Sequence, residues 1–236
     1  MAAERRPSRR LIVALDFARL APALSLARRL APLGVMFKIG KQLFTAEGPA
    51  AVKSIARCGP VFLDLKFHDI PNTIAGAVRS AAGLPGVRLV NVHALGGLAM
   101  MRAAARANPA PRRVKLVAVT ILTSMDAAEL RRVGISGPPA ARVVQLARLA
   151  RKAGLDGVVA SPQEARAIRR ACGRDFLIVV PGVRPAGAAR GDQSRVATPA
   201  DAIRAGANYI VVGRPITAAD DPVAAAKSIL REIASA

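Results

Sequence analysis

One unit returns eight times along this chain: a short apolar run rich in β-branched residues, then a polar loop, then an Ala-rich stretch of helical period. The apolar runs are LIVALD (11–16), VMFKIG (35–40), VFLDLK (61–66), VRLVNVH (87–93), VKLVAVTI (114–121), DGVVA (156–160), FLIVV (176–180) and NYIVVG (208–213). Between them the pattern predicts helices over 18–32, 45–57, 72–83, 97–107, 139–153, 161–171, 198–205 and 221–234. Ser161-Pro162-Gln163-Glu164 and Thr198-Pro199-Ala200-Asp201 each offer an N-cap, a Pro at the first helical position and an acid at the third. Strand and helix in strict alternation imply a parallel sheet with crossover helices, and eight such units close into an α/β (β/α)8 TIM barrel. A doubly wound open sheet is the alternative for the same elements.

Composition suits that architecture. The 236 residues are 52% hydrophobic but only 3% aromatic, with no Trp, so the core is built from Ala, Val, Leu and Ile. Such residues fill parallel strands covered on both faces by helices. One domain over 11–236 is expected, after a disordered basic tail over 1–10. Cys58 and Cys172 are far apart, without CxxC spacing, and read as reduced structural thiols.

The formal charge is +21, from 36 Lys plus Arg against 15 Asp plus Glu. A general attraction for anionic substrates follows. Nucleic-acid binding does not, because the basic residues recur as doublets such as Arg28-Arg29, Arg131-Arg132 and Arg169-Arg170 on helical segments, where they read as solvated outer faces. A stacking surface for single strands needs exposed aromatics, and the chain has six Phe and one Tyr. The first apolar run is stopped by Asp16, too soon for a secretory segment, and no stretch approaches the roughly 18 apolar residues of a membrane helix. A cytoplasmic protein is expected.

Barrel active sites form where strands end and the βα-loops begin. Asp16, Lys38, Asp64, Lys66 and His93 stand at such ends, Thr123 lies just beyond strand five, Gly182 and Arg184 follow strand seven, and Arg214 follows strand eight. A charge in an apolar strand is costly unless paired. Residues two apart in a strand share a face, so Asp64 and Lys66 are expected together on the lumen side with Lys38 beside them. A second group, Pro181-Gly182-Val183-Arg184-Pro185 with Gln193, joins Gly213-Arg214-Pro215-Ile216-Thr217 at the loops after strands seven and eight. Many barrels hold a phosphate there, glycine letting a backbone N–H approach the anion and arginine matching its oxygens. The segment with Gly134, Gly137, Pro138 and Pro139 reads as a loop over the mouth, and Pro181 to Arg195 as a lid.

The segment FLDLKFHDIPNT (62–73) resembles the signature of orotidine-5'-phosphate decarboxylases of the bacterial type, an Asp-x-Lys-x-x-Asp array followed by Ile-Pro-Asn-Thr. ALDF (14–17), FKIG (37–40), VNVHALGG (90–97), VTILTS (119–124), PGVRP (181–185), GDQSR (191–195) and VVGRPIT (211–217) resemble the same family in the same order. What departs from the family is peripheral: the basic amino-terminal tail and the Arg excess.

The resemblance implies decarboxylation of orotidine 5'-phosphate (OMP) to UMP and CO2, the last step of de novo pyrimidine nucleotide synthesis, without metal or cofactor. It makes Lys66 the proton donor to C6, within a network of Lys38, Asp64, Lys66 and Asp69. It further implies a homodimer in which Asp69, Ile70 and Thr73 complete the partner's site. Asp16 and Lys38 would contact the ribose, Thr123 or Ser124 the pyrimidine, and Arg184, Gln193, Gly213 and Arg214 the phosphate, with Asp64 also facing the substrate. His93 stands either behind the site or in a structural role, and His68 shapes the loop.

The chemistry asks for these residue types. Loss of CO2 from C6 leaves an electron pair in an orbital that cannot delocalise into the ring carbonyls, so a fixed ammonium must stabilise it and then supply a proton. Flanking carboxylates keep that ammonium charged. The nearest rival is a related barrel using a similar array with Mg2+ on a sugar phosphate. The other is a non-catalytic nucleic-acid binder.

Overall fold

All eight apolar runs become strands in the computed structural model, which describes residues 7–185 and 197–236. They are β1 (Leu11–Ala14), β2 (Met36–Gly40), β3 (Val61–Phe67), β4 (Val87–His93), β5 (Lys115–Val119), β6 (Gly157–Val159), β7 (Leu177–Pro181) and β8 (Tyr209–Val212). Each pairs in parallel with the next, and Leu11 of β1 pairs with Ile210 of β8, so the sheet closes into a barrel and is not an open doubly wound sheet.

The period of two along each strand sorts side chains into two cores. Ile12, Met36, Phe62, Leu89, Val117 and Val211 fill the lumen, while Leu11, Val13, Val61 and Leu63 face outward under the helices. Phe62 is 1% exposed, and truncating such a residue to Ala costs about 3–5 kcal/mol. The apolar filling occupies the lower lumen. The register Ala14↔Lys38 and Lys38↔Phe62 then puts Lys38 on the lumen face one layer above Met36, and Gly40↔Asp64 brings the next layer level with Asp64. Polarity is thereby confined to the end where the strands give way to loops.

Around the barrel lie α1 (Pro7–Arg10), α2 (Leu20–Leu30), α3 (Lys41–Ile55), α4 (Pro71–Gly83), α5 (Gly97–Ala107), α6 (Ala127–Arg132), α7 (Pro139–Lys152), α8 (Ala165–Cys172), α9 (Pro199–Arg204), α10 (Arg214–Thr217) and α11 (Pro222–Ala234). Thr198 caps α9 as its sequence predicts, its hydroxyl accepting from the Asp201 N–H at 3.1 Å. The matching expectation for Ser161 fails. Its hydroxyl accepts from Gln163 N–H at 3.2 Å, residues 162–164 form a tight turn, and α8 starts only at Ala165. α3 starts at Lys41 rather than 45 and is broken at Gly48, whose φ of 60° lets the chain restart at Pro49.

The expected tail is shortened from its inner end. Pro7–Arg10 forms one helical turn, and Arg10 donates to the carbonyls of Ala207 and Asn208 at 2.7 and 3.4 Å; residues 1–6 lie outside the described residues. Arg169, read as one of a solvated pair, is a staple instead. Its guanidinium donates to the carbonyls of Gly173, Arg174, Phe176 and Gly206 and to Asn208 Oδ1. No described helix is long and apolar enough to cross a membrane.

Candidate active site

At the loop end of β1 to β3, four side chains form an alternating chain of charge. Lys38 Nζ lies 2.7 Å from Asp16 Oδ1 and 3.5 Å from Asp64 Oδ2, and Lys66 Nζ lies 2.7 Å from Asp64 Oδ1. Lys38 and Asp64 are each 8% exposed, so these are charges that burial permits only as a network. Burial pushes the Asp64 carboxyl up, but Lys38 and Lys66 beside it, with hydrogen bonds from Lys66 and Asn91, hold it below the ordinary carboxylate value. Gly40 makes room for the first pair. A Cβ there would stand 2.8 Å from Asp16 Oδ1 and 2.9 Å from Lys38 Nζ.

Lys66 reaches this network by a route that simple strand alternation did not foresee. Its φ is 52°, the only positive value among described non-glycine residues, and the β3–β4 register slips between Leu63 and Phe67. The Lys66 backbone N–H donates to Asn91 Oδ1 at 2.8 Å, and Asn91 Nδ2 donates to Asp64 Oδ1 at 2.6 Å. Nothing in the motifs of the sequence assigns Asn91 a role. The available signal was an amide in the apolar run VRLVNVH, on the lumen face shared with Leu89, and it is 1% exposed.

Asp69, Ile70 and Thr73 do not join the array in their own chain. All are exposed on the rim, Ile70 at 66%, and the Asp69 carboxylate accepts from the Ile70 N–H at 2.6 Å. His93 stacks on His68 with ring centroids 5.2 Å apart. Burial, then the positive surroundings of His68, Lys41 and Lys66, push His93 down to about 4, so its imidazole is neutral near pH 7. Its Nδ1 accepts from Leu95 N–H at 3.4 Å, capping the short turn that follows β4. Thr123 is half-buried and Ser124 exposed beyond β5.

The second constellation shares a space with the first. A cavity of about 370 Å³ is lined by Asp16, Lys38, Gly182, Arg184, Gly213 and Arg214 among others, joining the β1–β2 charges to the loops after β7 and β8. Arg184 is 7% exposed; burial, then the like charge of Arg214, pull its guanidinium below the ordinary value. The two guanidinium groups thus put like charges on the same side of this cavity. Gly213 immediately precedes α10, a short helix formed within the second basic loop. Gln193 and most of the expected lid lie outside the described residues. Larger hollows of about 510 and 570 Å³ lie on α7 and at the opposite end of the barrel, but neither is lined by a carboxylate. Charge pattern, not size, locates the site.

Residues 9–229 match the profile of the "Orotidine 5'-phosphate decarboxylase / HUMPS family". A protein of Anaeromyxobacter dehalogenans named orotidine 5'-phosphate decarboxylase is 59% identical over 226 residues, covering 95% of this chain and 98% of its own. One of the same name from Halorhodospira halophila is 58% identical over 229 residues, covering 96% and 97%. Among solved structures, orotidine 5'-phosphate decarboxylase from Lactobacillus acidophilus superposes with a TM-score of 0.82 at 39% identity, covering 95% of this chain and 99% of that one.

Proposed function

The chain belongs to the orotidine 5'-phosphate decarboxylase / HUMPS family, and from that premise we propose that it is the carboxy-lyase that converts OMP to UMP and CO2, completing de novo pyrimidine nucleotide synthesis, with Lys66 as proton donor. The observation that carries this reading is the cavity that Asp16 and Lys38 line together with Arg184 and Arg214, with Asp64 and Lys66 joined to it through the Lys38–Asp64 ion pair. One end suits a phosphate, the other a carbanion.

The substrate phosphate binds Arg184, Gln193, Gly213 and Arg214, the ribose lies against Asp16 and Lys38, and Thr123 faces the pyrimidine. The C6–carboxylate bond then breaks, its electron pair stays on C6, and CO2 departs. The Lys66 ammonium stabilises that pair and transfers a proton to it, becoming a neutral amine that solvent reprotonates. Asp64, held ionised between two lysines, keeps Lys66 charged and aimed until then. Phosphate contacts lie far from the breaking bond, and energy gained there orders the charged end.

Asp69, Ile70 and Thr73, exposed together, complete the site of a second copy in a homodimer. A cytoplasmic location goes with a free-nucleotide substrate. The test is the ultraviolet absorbance of OMP followed with purified, EDTA-treated protein. Conversion to UMP is expected to survive EDTA; no conversion, or conversion only after Mg2+ is restored, overturns the reading.

A further inference from the structure

We propose that Asn91 is a positioning residue for this reaction, its amide clamping the Lys66 backbone and the Asp64 carboxylate so that the ammonium is presented to the reacting carbon. The inference rests on the decarboxylase reading and extends it to a residue that touches no substrate.

The β3–β4 ladder shows why a clamp is needed. Leu63 pairs with Val90 and Phe67 with Val92, so residues 64, 65 and 66 on β3 face Asn91 alone on β4. A bulge of this kind re-aims a side chain and interrupts backbone pairing. The Lys66 N–H, which a regular ladder would join to a backbone carbonyl, is taken at 2.8 Å by Asn91 Oδ1. With φ at 52°, Lys66 sits where L side chains are disfavoured. An ordinary extended φ would re-register the strand and turn the ammonium away.

The orientation of the amide follows from chemistry alone. A backbone N–H only donates, so the Asn91 oxygen must face Lys66. An ionised carboxylate only accepts, so the Asn91 nitrogen must face Asp64. Flipping the amide would lose both contacts. Asp64 Oδ1 thus receives Asn91 Nδ2 at 2.6 Å and Lys66 Nζ at 2.7 Å, while Oδ2 faces Lys38. One buried amide fixes both the base of the lysine and the carboxylate at its tip.

Two variants, assayed beside wild type for kcat, KM and UMP affinity, test this. Asn91→Ala removes both contacts, and kcat is expected to fall about 100-fold, the scale of a small misplacement of a reacting group. KM and the Kd for UMP should stay within about threefold, because the phosphate and ribose contacts are untouched. Asn91→Asp keeps the shape and the oxygen facing Lys66, but must be protonated to donate to Asp64. Ionised, it sets two carboxylates against each other. Its kcat relative to wild type should therefore be highest at acid pH and fall about tenfold or more between about pH 5 and about pH 8.

An Asn91→Ala kcat within about threefold of wild type overturns the inference. So does loss of UMP binding in proportion to kcat, which would mark general damage. A pH-independent ratio for Asn91→Asp also overturns it, and this variant decides the matter if Asn91→Ala does not fold. If wild type itself fails to convert OMP, the decarboxylase reading has failed instead.

Discussion

The two sides of the barrel mouth differ in the charges they bring close to their cations. Across β1 to β3, Lys38 and Lys66 each stand against carboxylates, at 2.7 to 3.5 Å from Asp16 and Asp64. After β7 and β8, Arg184 and Arg214 stand near one another, and burial with that like charge already weakens the hold of Arg184 on its proton. Under the proposed function, the paired side is preorganised for charge that develops only during reaction. The arginine side, under the proposed function, meets the substrate's phosphate dianion, so its interactions serve binding. Substitutions on the two sides should accordingly fail in different kinetic parameters.

The largest effect is expected from Lys66→Ala. Decarboxylation should fall by about 1000-fold or more, with UMP affinity and the fold retained, as single-turnover assays and UMP titration would show. Retention of more than about a tenth of wild-type turnover, an effect below roughly 1.4 kcal/mol, would erase the distinction between the sides.

Arg214→Ala tests the other side. Loss of a charge-assisted contact, worth roughly 1.5–3 kcal/mol, should lower kcat/KM for OMP by about 10- to 100-fold and weaken UMP binding. The nucleoside orotidine, which has no phosphate, should hardly notice. Equal losses on both substrates would make Arg214 a structural residue of the rim.

A third experiment asks whether the paired side is complete within one chain. If Asp69 completes the partner's site, a dimer of one Lys66→Ala subunit and one Asp69→Ala subunit carries both lesions in one site and neither in the other. Mixing the two inactive homodimers should restore about a quarter of wild-type activity, since half the dimers are mixed and each has one intact site. No recovery, with subunit exchange confirmed by native mass spectrometry, would return Asp69 to its own chain's site.

The smallest effect concerns His93, at the edge of the paired side. Its folded value of about 4 lies below the ordinary 6.5, so the unfolded chain binds the proton first as pH falls. The stability that comes from keeping His93 neutral is complete above 6.5 and is lost as pH falls towards 4. NMR titration should place its transition near 4, and His93→Asn should lose less stability than wild type over that interval in urea melts. A transition near 6.5 would mean that the buried, positive surroundings do not act on this ring.

Local pattern was enough for much of this. Eight strands, their helices and the barrel follow from periods of two and 3.6, which each segment carries by itself. The Asp64–Lys66 pair and the two basic loops were legible because they sit at strand ends, where a barrel opens. What escaped was set by residues distant in the chain. Asn91 acts on Lys66 across 25 positions and on Asp64 across 27, and Arg169 reaches Asn208 across 39. The bulge that turns Lys66, the late start of α8 and the short α6 and α10 are likewise outcomes of packing. A run of residues determines which face is apolar and where a turn is allowed. Only the closed barrel decides which buried donor meets which acceptor, because that choice is made by neighbours that the sequence keeps apart.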